Sequence, residues 1–323
     1  MKSRKLISLF DDCSDKPLFI VSDAPPSSCN FRCPYCFYHK SIGFEAYSEQ
    51  FENWKSAMST ALEKIKRPLY LCIGPRGDPM EVVEWWPEYR KIAMHPNVKR
   101  AAFVSNLSKP IAPLIDGIDP NRIGVTGTIH PTQWKDKDHG FAQFVDNVMH
   151  LKNIGAAIVL NYVLAPYQIS EYMRYKNFFE EREVPVTCNL FRGTYKGKVY
   201  PESYTQEEWS LAKENMSDIP YYYEFQSRLA DPFGRLCTAG RHAINMEADG
   251  SVYPCYFVRT KFGSIFDDQL FLLDEDIECS SHICECKWSI PLQRELVSGY
   301  RHVGNIHQIV KRPDGETGDN PFS

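Results

Sequence analysis

From residue 17 to about residue 190, short apolar runs alternate with longer amphipathic stretches. The runs at 18–22, 69–73, 101–105, 123–128, 157–163 and 184–190 are strand-length and rich in β-branched and apolar side chains. Between them, 48–65, 80–94, a weaker segment near Ile111, 141–153 and 170–181 read as helices. The first has Phe51, Trp54, Met58 and Leu62 on one face, at a spacing of three to four residues. Strands alternating with helices build a parallel sheet. Six such units predict an open or partial α/β barrel over 17–190, behind an extension at 1–16.

After Leu190 the pattern changes. Residues 193–205 are rich in Gly, Tyr and Pro, one helix is expected around 207–214, and 191–236 reads as a connecting segment. From Leu236 the chain is dense in cysteine, glycine and turn formers, which suggests a small module at 237–290 stapled by ligands. A polar tail occupies 291–323.

Composition adds exclusions. The 323 residues hold 37 basic and 41 acidic side chains, a net charge of −4, with no global footprint for nucleic acid or an anionic membrane. No apolar run reaches the ~18 residues of a membrane-spanning helix. Asp11 and Asp12 end the N-terminal apolar patch too early for a secretory signal, so a cytoplasmic location is expected. Eleven cysteines in a chain that is not exported point to metal or redox chemistry rather than a disulfide scaffold.

Three of them form Cys29-Asn-Phe-Arg-Cys33-Pro-Tyr-Cys36, in the loop leaving the first barrel strand. Three thiolates and an open position suit a [4Fe–4S] cluster with one iron free, whereas structural zinc closes its shell with four ligands. His39 is the available fourth ligand in a zinc reading. The spacing, with an aromatic residue before the last cysteine, resembles the cluster motif of the radical S-adenosylmethionine (radical SAM) superfamily. That resemblance implies a partial (β/α)6 TIM-like barrel whose cluster binds SAM through its amino and carboxylate groups, with Tyr35 near the adenine. The family's Gly-Gly-Glu-Pro turn after strand two corresponds to Gly74-Pro75-Arg76-Gly77-Asp78-Pro79, with Asp in place of Glu and Arg in place of a glycine. Gly77 and Asp78 are then expected at the SAM ammonium. Ser105-Asn106 resembles the turn beside the SAM ribose or carboxylate, and Thr128 and Asn161 are expected at the barrel mouth with Thr126 and His130. Cys188, near the end of the sixth strand, is either a core residue or a hydrogen donor.

A second cysteine set comprises Cys237, Cys255, Cys279, Cys284 and Cys286. Cys237 and Cys255 flank an expected hairpin whose Asp249-Gly250 turn joins 244–246 to 251–253. The Cys237-Thr-Ala-Gly opening resembles the SPASM and Twitch extensions of radical SAM enzymes. It implies a small C-terminal auxiliary iron–sulfur domain with one [4Fe–4S] cluster held by four of the five, or, in the alternative, a zinc site. Cys13 and Cys72 remain outside both sets.

The resemblance implies reductive cleavage of SAM, fed by a flavodoxin- or ferredoxin-type reductant, and hydrogen abstraction from substrate. A small sugar- or cyclitol-like molecule, oxidised or epimerised, is the leading substrate class, because Cys29 leaves no room before it for a peptide-recognition domain of ~80 residues, an ordinary small-domain size. The aromatic segment 221–225 could stack on a sugar ring or lie in the core. The other readings are maturation of a ribosomally made peptide and a zinc-stapled binding module without catalysis.

Overall fold

The computed structural model describes residues 6–12, 16–24, 29–36, 47–74, 77–82, 84–134, 137–216, 222–229, 231–284, 300–302 and 309–311. His39, Cys13, Pro75, Arg76, Tyr221, Cys286 and most of the tail at 291–323 lie outside these residues. A short strand β1 (Leu6–Ser8) precedes the barrel, whose units are β2 (Leu18–Ser22), α1 (Tyr47–Lys64), β3 (Leu69–Ile73), α2 (Trp85–Met94), β4 (Val98–Ser105), α3 (Ala112–Ile115), β5 (Ile123–Ile129), α4 (Lys137–Asn153), β6 (Ala157–Leu164), α5 (Tyr172–Glu180) and β7 (Val186–Leu190). Strands β2 to β7 lie side by side in chain order, and every pair is parallel. The α/β partial barrel expected from the sequence is present.

Period-two alternation sorts its side chains. Leu18, Ile20, Leu71, Ile73, Phe103, Val125, Leu160, Tyr162 and Val186 join the core under the helices, together with the apolar face of α1. Trp54 of α1 is fully buried, and its indole N–H donates to Ser22 Oγ at 2.9 Å, which fixes the helix against β2. On the inner face, Phe19, Cys72, Ala102 and Ala243 form a separate apolar cluster at the floor of the barrel, where Phe19 stacks on Tyr70 at 5.1 Å.

The helix expected over 80–94 is two elements. Asp78 caps a single 3-10 turn at Pro79–Glu81, Val82 is extended, and α2 starts only at Trp85. Pro87 sets that start, because a proline needs no amide partner in a helix's first turn but breaks the ladder in an interior.

Beyond β7 come the hairpin β8 (Gly193–Tyr195) with β9 (Lys198–Tyr200), then α6 (Gln206–Asn215) with a complete capping box between Thr205 and Glu208, and α7 (Tyr222–Gln226). Strand β10 (Leu236–Cys237) precedes the expected hairpin, β11 (Ala243–Met246) and β12 (Ser251–Tyr253). β13 (Gly263–Ser264), β14 (Phe271–Leu273) and β15 (Ile277–Glu278) follow. The hairpin does not stand apart from the barrel: β11 pairs parallel with β2, Ala243 opposite Phe19 and Met246 opposite Ser22. The large sheet therefore runs β13-β12-β11-β2-β3-β4-β5-β6-β7, and the sheet has no break at the expected boundary at 237. β14 returns to β1, and β10 pairs with β15. No helix among the described residues is long and apolar enough to cross a membrane.

Candidate active site at the strand ends

The loop that carries Cys29, Cys33 and Cys36 leaves the carboxyl end of β2, and it is pinned from several sides. Arg32 N donates to Gln133 Oε1 at 2.7 Å, and the Cys36 amide closes a turn onto Cys33 O at 3.0 Å. Cys33 is buried, and Cys29 and Cys36 are half-buried. Burial pushes the Cys29 thiol up to about 11 and Cys33 up to about 12, and the neighbouring thiols push both in the same direction. Arg32 does not relieve this, since its guanidinium is turned to the carbonyls of Cys29 at 2.5 Å and Phe31 at 3.1 Å. Three thiolates crowded here require a cationic partner, and a coordinated metal is what deprotonates such thiols outright.

His130, one residue past β5, reaches this loop. Its Nδ1 lies 3.2 Å from Cys33 Sγ and hydrogen-bonds with the Tyr35 hydroxyl. The Tyr35 and His130 rings stack at 5.8 Å, and Phe31 meets His130 edge-on at 5.5 Å. Burial lowers His130 to about 3, so its imidazole is neutral.

Gly77 and Asp78 form the turn after β3. Gly77 has φ +139°, a conformation that favours glycine. Asp78 is 2% exposed, and its carboxylate is already occupied by protein donors. Oδ1 accepts from Met80 N at 2.9 Å and Ser105 Oγ at 3.1 Å, and Oδ2 accepts from Asn106 N at 2.5 Å. This carboxylate clasps the exits of β3 and β4. Burial nevertheless raises it from 3.8 to about 6, against the lowering effect of those three donors and with a small further push from Glu81.

That rise has a measurable consequence. With its folded pKa above the unfolded value, the native state holds more protons than the unfolded chain between about pH 4 and pH 6, so stability falls as pH rises through that window. At about 1.36 kcal/mol per unit, the full effect is on the order of 3 kcal/mol. Asp78→Asn removes this slope, and at neutral pH it sets an amide against donors that need an acceptor. Urea unfolding at several pH values should show the wild type losing more stability across the window than Asp78→Asn; equal slopes would mean that Asp78 titrates normally.

Asn106 joins the turn after β4 to the cysteine loop. Its Nδ2 donates to Asn30 Oδ1 at 2.9 Å and stands 3.8 Å from Cys29 Sγ, while its Oδ1 accepts from Ser108 N at 2.9 Å. Thr126, Thr128 and Asn161 are buried on the inner face, with Thr128 level with Asn161 and Asn161 level with Thr187. Thr187 and Asn189 of β7 share that face, although sequence reasoning had singled out Cys188 between them. Cys188 points the other way: it is fully buried with Val186 and Leu190 in the helix-facing core, 3.9 Å from Ala212 O on α6 and against Tyr172 on α5. The alternation of 186–190 was the signal that distinguishes the two faces.

In the C-terminal segment, Cys237, Cys255 and Cys279 come near enough for their charges to interact, and burial pushes Cys237 up to about 12. Backbone amides point at both sulfurs: Ala239 N lies 3.5 Å from Cys237 Sγ, and Val258 N, at 3.2 Å, is joined by Phe257 at Cys255 Sγ. Pairing of β10 with β15 sets Cys237 opposite Ile277, two residues before Cys279. Cys284 is buried in the main core cluster. Among the described residues, no three His, Cys, Asp or Glu side chains close to single-ion spacing, so these thiols are neighbours rather than a finished shell.

No protein-family model matches the chain, and no curated protein does. Among solved structures, native anSMEcpe with bound AdoMet and the Cp18Cys peptide aligns over 78% of this chain and 78% of its own, at 18% identity and a TM-score of 0.52. The same protein with the Kp18Cys peptide gives 17% identity, 78% of each chain and a TM-score of 0.53. The crystal structure of Streptococcus suis SuiB is more distant, with 11% identity over 79% of this chain and 64% of its own and a TM-score of 0.49. This chain has the fold of anSMEcpe. In that barrel, the cysteine loop, the Gly77-Asp78 turn and the Ser105-Asn106 turn leave three consecutive strands at their carboxyl ends, the edge where parallel α/β folds build sites.

Proposed function

We propose that this protein is a radical SAM enzyme, with Cys29, Cys33 and Cys36 holding a [4Fe–4S] cluster that binds SAM. The reading rests on one observation above all: three crowded thiols that the Arg32 guanidinium does not bond, set at the strand ends of a fold shared with anSMEcpe. When bound, the cluster and SAM would supply one-electron radical chemistry, with the electron drawn from a flavodoxin- or ferredoxin-type donor. The chain's own residues do the rest. Gly77 gives the turn its shape, and Asp78 holds Ser105 and Asn106 in place for the cofactor. Tyr35 covers the loop, and Thr128 and Asn161 line the mouth. Cys237, Cys255 and Cys279, with a fourth thiol from Cys284 or Cys286, hold one auxiliary [4Fe–4S] cluster. The barrel at 17–190 and the cysteine module at 237–290 are its two working parts.

The substrate is a small, uncharged, hydroxyl-bearing molecule that undergoes oxidation or epimerisation. Thr126, Thr128, Asn161, Thr187 and Asn189 line the inner face with neutral polar side chains, Thr187 donating to Leu160 O at 3.3 Å, and a neutral polar face suits a hydroxyl-bearing molecule. A second reading, modification of a peptide, draws on the bound peptides of the anSMEcpe structures. Protein reconstituted anaerobically with iron and sulfide should convert SAM to 5′-deoxyadenosine in the presence of dithionite. Full iron loading without that product would end the proposal. Deuterium carried from a candidate polyol or peptide into 5′-deoxyadenosine then decides between the substrates.

A further inference from the structure

Resting on the reading of Cys29, Cys33 and Cys36 as cluster ligands, we infer that His130 is a positioning residue that donates its Nδ1–H to the Cys33 sulfur and raises the reduction potential of the cluster. The inference starts from the contact set. His130 is held at the end of β5 with Nδ1 3.2 Å from Cys33 Sγ, its ring stacked on Tyr35 at 5.8 Å and met edge-on by Phe31 at 5.5 Å. Two aromatic residues of the cysteine loop thus clamp the imidazole from different directions, and Nδ1 is shared between the Tyr35 hydroxyl and one thiol of three, that of Cys33. Among the described residues, the Tyr35 hydroxyl also hydrogen-bonds with Cys33, and Asn106 reaches Cys29 Sγ only at 3.8 Å, its amide shared with Asn30 at 2.9 Å.

Chemistry fixes the direction of the bond. A ligating cysteine is a thiolate, an acceptor with no proton to give, so the group facing it must be the donor. Loading the cluster therefore selects the tautomer with the proton on Nδ1, and the Tyr35 oxygen at the same nitrogen then accepts a share of that N–H while its own O–H turns to the sulfur. A hydrogen bond to a ligand sulfur stabilises the reduced, more negative cluster over the oxidised one, and such bonds are among the factors that set iron–sulfur potentials. His130 in this role eases delivery of the electron on which SAM cleavage depends.

Two substitutions separate the hydrogen bond from the packing. His130→Phe keeps the ring between Phe31 and Tyr35 but removes the N–H; His130→Gln keeps an N–H and removes the ring. The expected result, in potentiometric titrations followed by electron paramagnetic resonance, is a more negative potential for the SAM-binding cluster in His130→Phe, substantial recovery in His130→Gln, and an unmoved auxiliary cluster in both. An unshifted His130→Phe potential at full iron, or a shift confined to His130→Gln, overturns the inference. If His130→Phe does not hold iron, the wild-type enzyme labelled with 15N-histidine answers the question, because Nδ1–H bonded to a ligand sulfur gives a 15N hyperfine coupling to the reduced cluster, and its absence rejects the bond. Failure of the underlying reading looks different: no SAM-binding cluster assembles in the wild type at all.

Discussion

Replacing Cys29, Cys33 and Cys36 together by alanine is expected to bring 5′-deoxyadenosine formation down to background while leaving about four of about eight irons per chain, the content of one cubane cluster. The fold is expected to survive. Cys29 and Cys36 are half-buried on a loop, outside the β ladder, and only Cys33 is buried. The six parallel strands and the core under α1 involve none of the three directly in their pairing. Removing one small buried side chain falls within the ordinary cost of a point substitution, about 1 kcal/mol. Iron analysis, circular dichroism and product assay on one preparation test the claim. Product persisting at the wild-type rate would mean that the thiols of this loop do not serve the reaction. Loss of all iron would instead mean that the C-terminal cysteines hold none by themselves.

How much of this was legible beforehand depends on whether a feature is local. Strands β2 and β3 were readable to the residue, because each is a compact apolar run bounded by a proline or by polar residues, and alternation within one strand needs no knowledge of its neighbours. The start of α2 was also written locally, in Pro87, but the apolar period running back to Met80 masked it. The placement of β11 beside β2 was not legible. A hairpin signal names the partner across the turn, Tyr253 for Asn245, and is silent on a parallel partner more than two hundred residues away, Val21 for the same Asn245. The site divides in the same way. The cysteine loop stood out by spacing, and the inner face of β5 by alternation. His130 was placed on that face, but its contact with Cys33 crosses 97 positions and left no trace in the pattern. Asp78 stands out by its place after strand two, whereas its bonds to Ser105 and Asn106 cross 27 and 28 positions and are visible only in three dimensions.

The C-terminal counterpart, Cys237→Ala/Cys255→Ala/Cys279→Ala, is expected to produce the opposite pairing of effects: a marked loss of thermal stability, with SAM cleavage retained at reduced yield. These three residues lie on β10, in the loop after β12 and just after β15, segments joined to one another by few ladder bonds. A cluster ligated from all three closes loops of 18 and 24 residues. In the chain-entropy picture, a cross-link around a loop of such length contributes about 3 kcal/mol, so losing both closures removes a large stabilising contribution. The barrel itself persists, because β11 remains hydrogen-bonded to β2. Iron should fall from about eight to about four per chain, and the remaining signal should be that of the SAM-binding cluster. Melting curves, metal analysis and the 5′-deoxyadenosine assay check each part separately. Zinc in place of iron in the purified wild-type module would reject the auxiliary cluster, and unchanged iron in the variant would reject this ligand set. If SAM cleavage vanished while the barrel cluster stayed intact, the auxiliary site would have to supply the electron that cleaves SAM, and the division between a barrel that does the chemistry and a module that supports it would not stand.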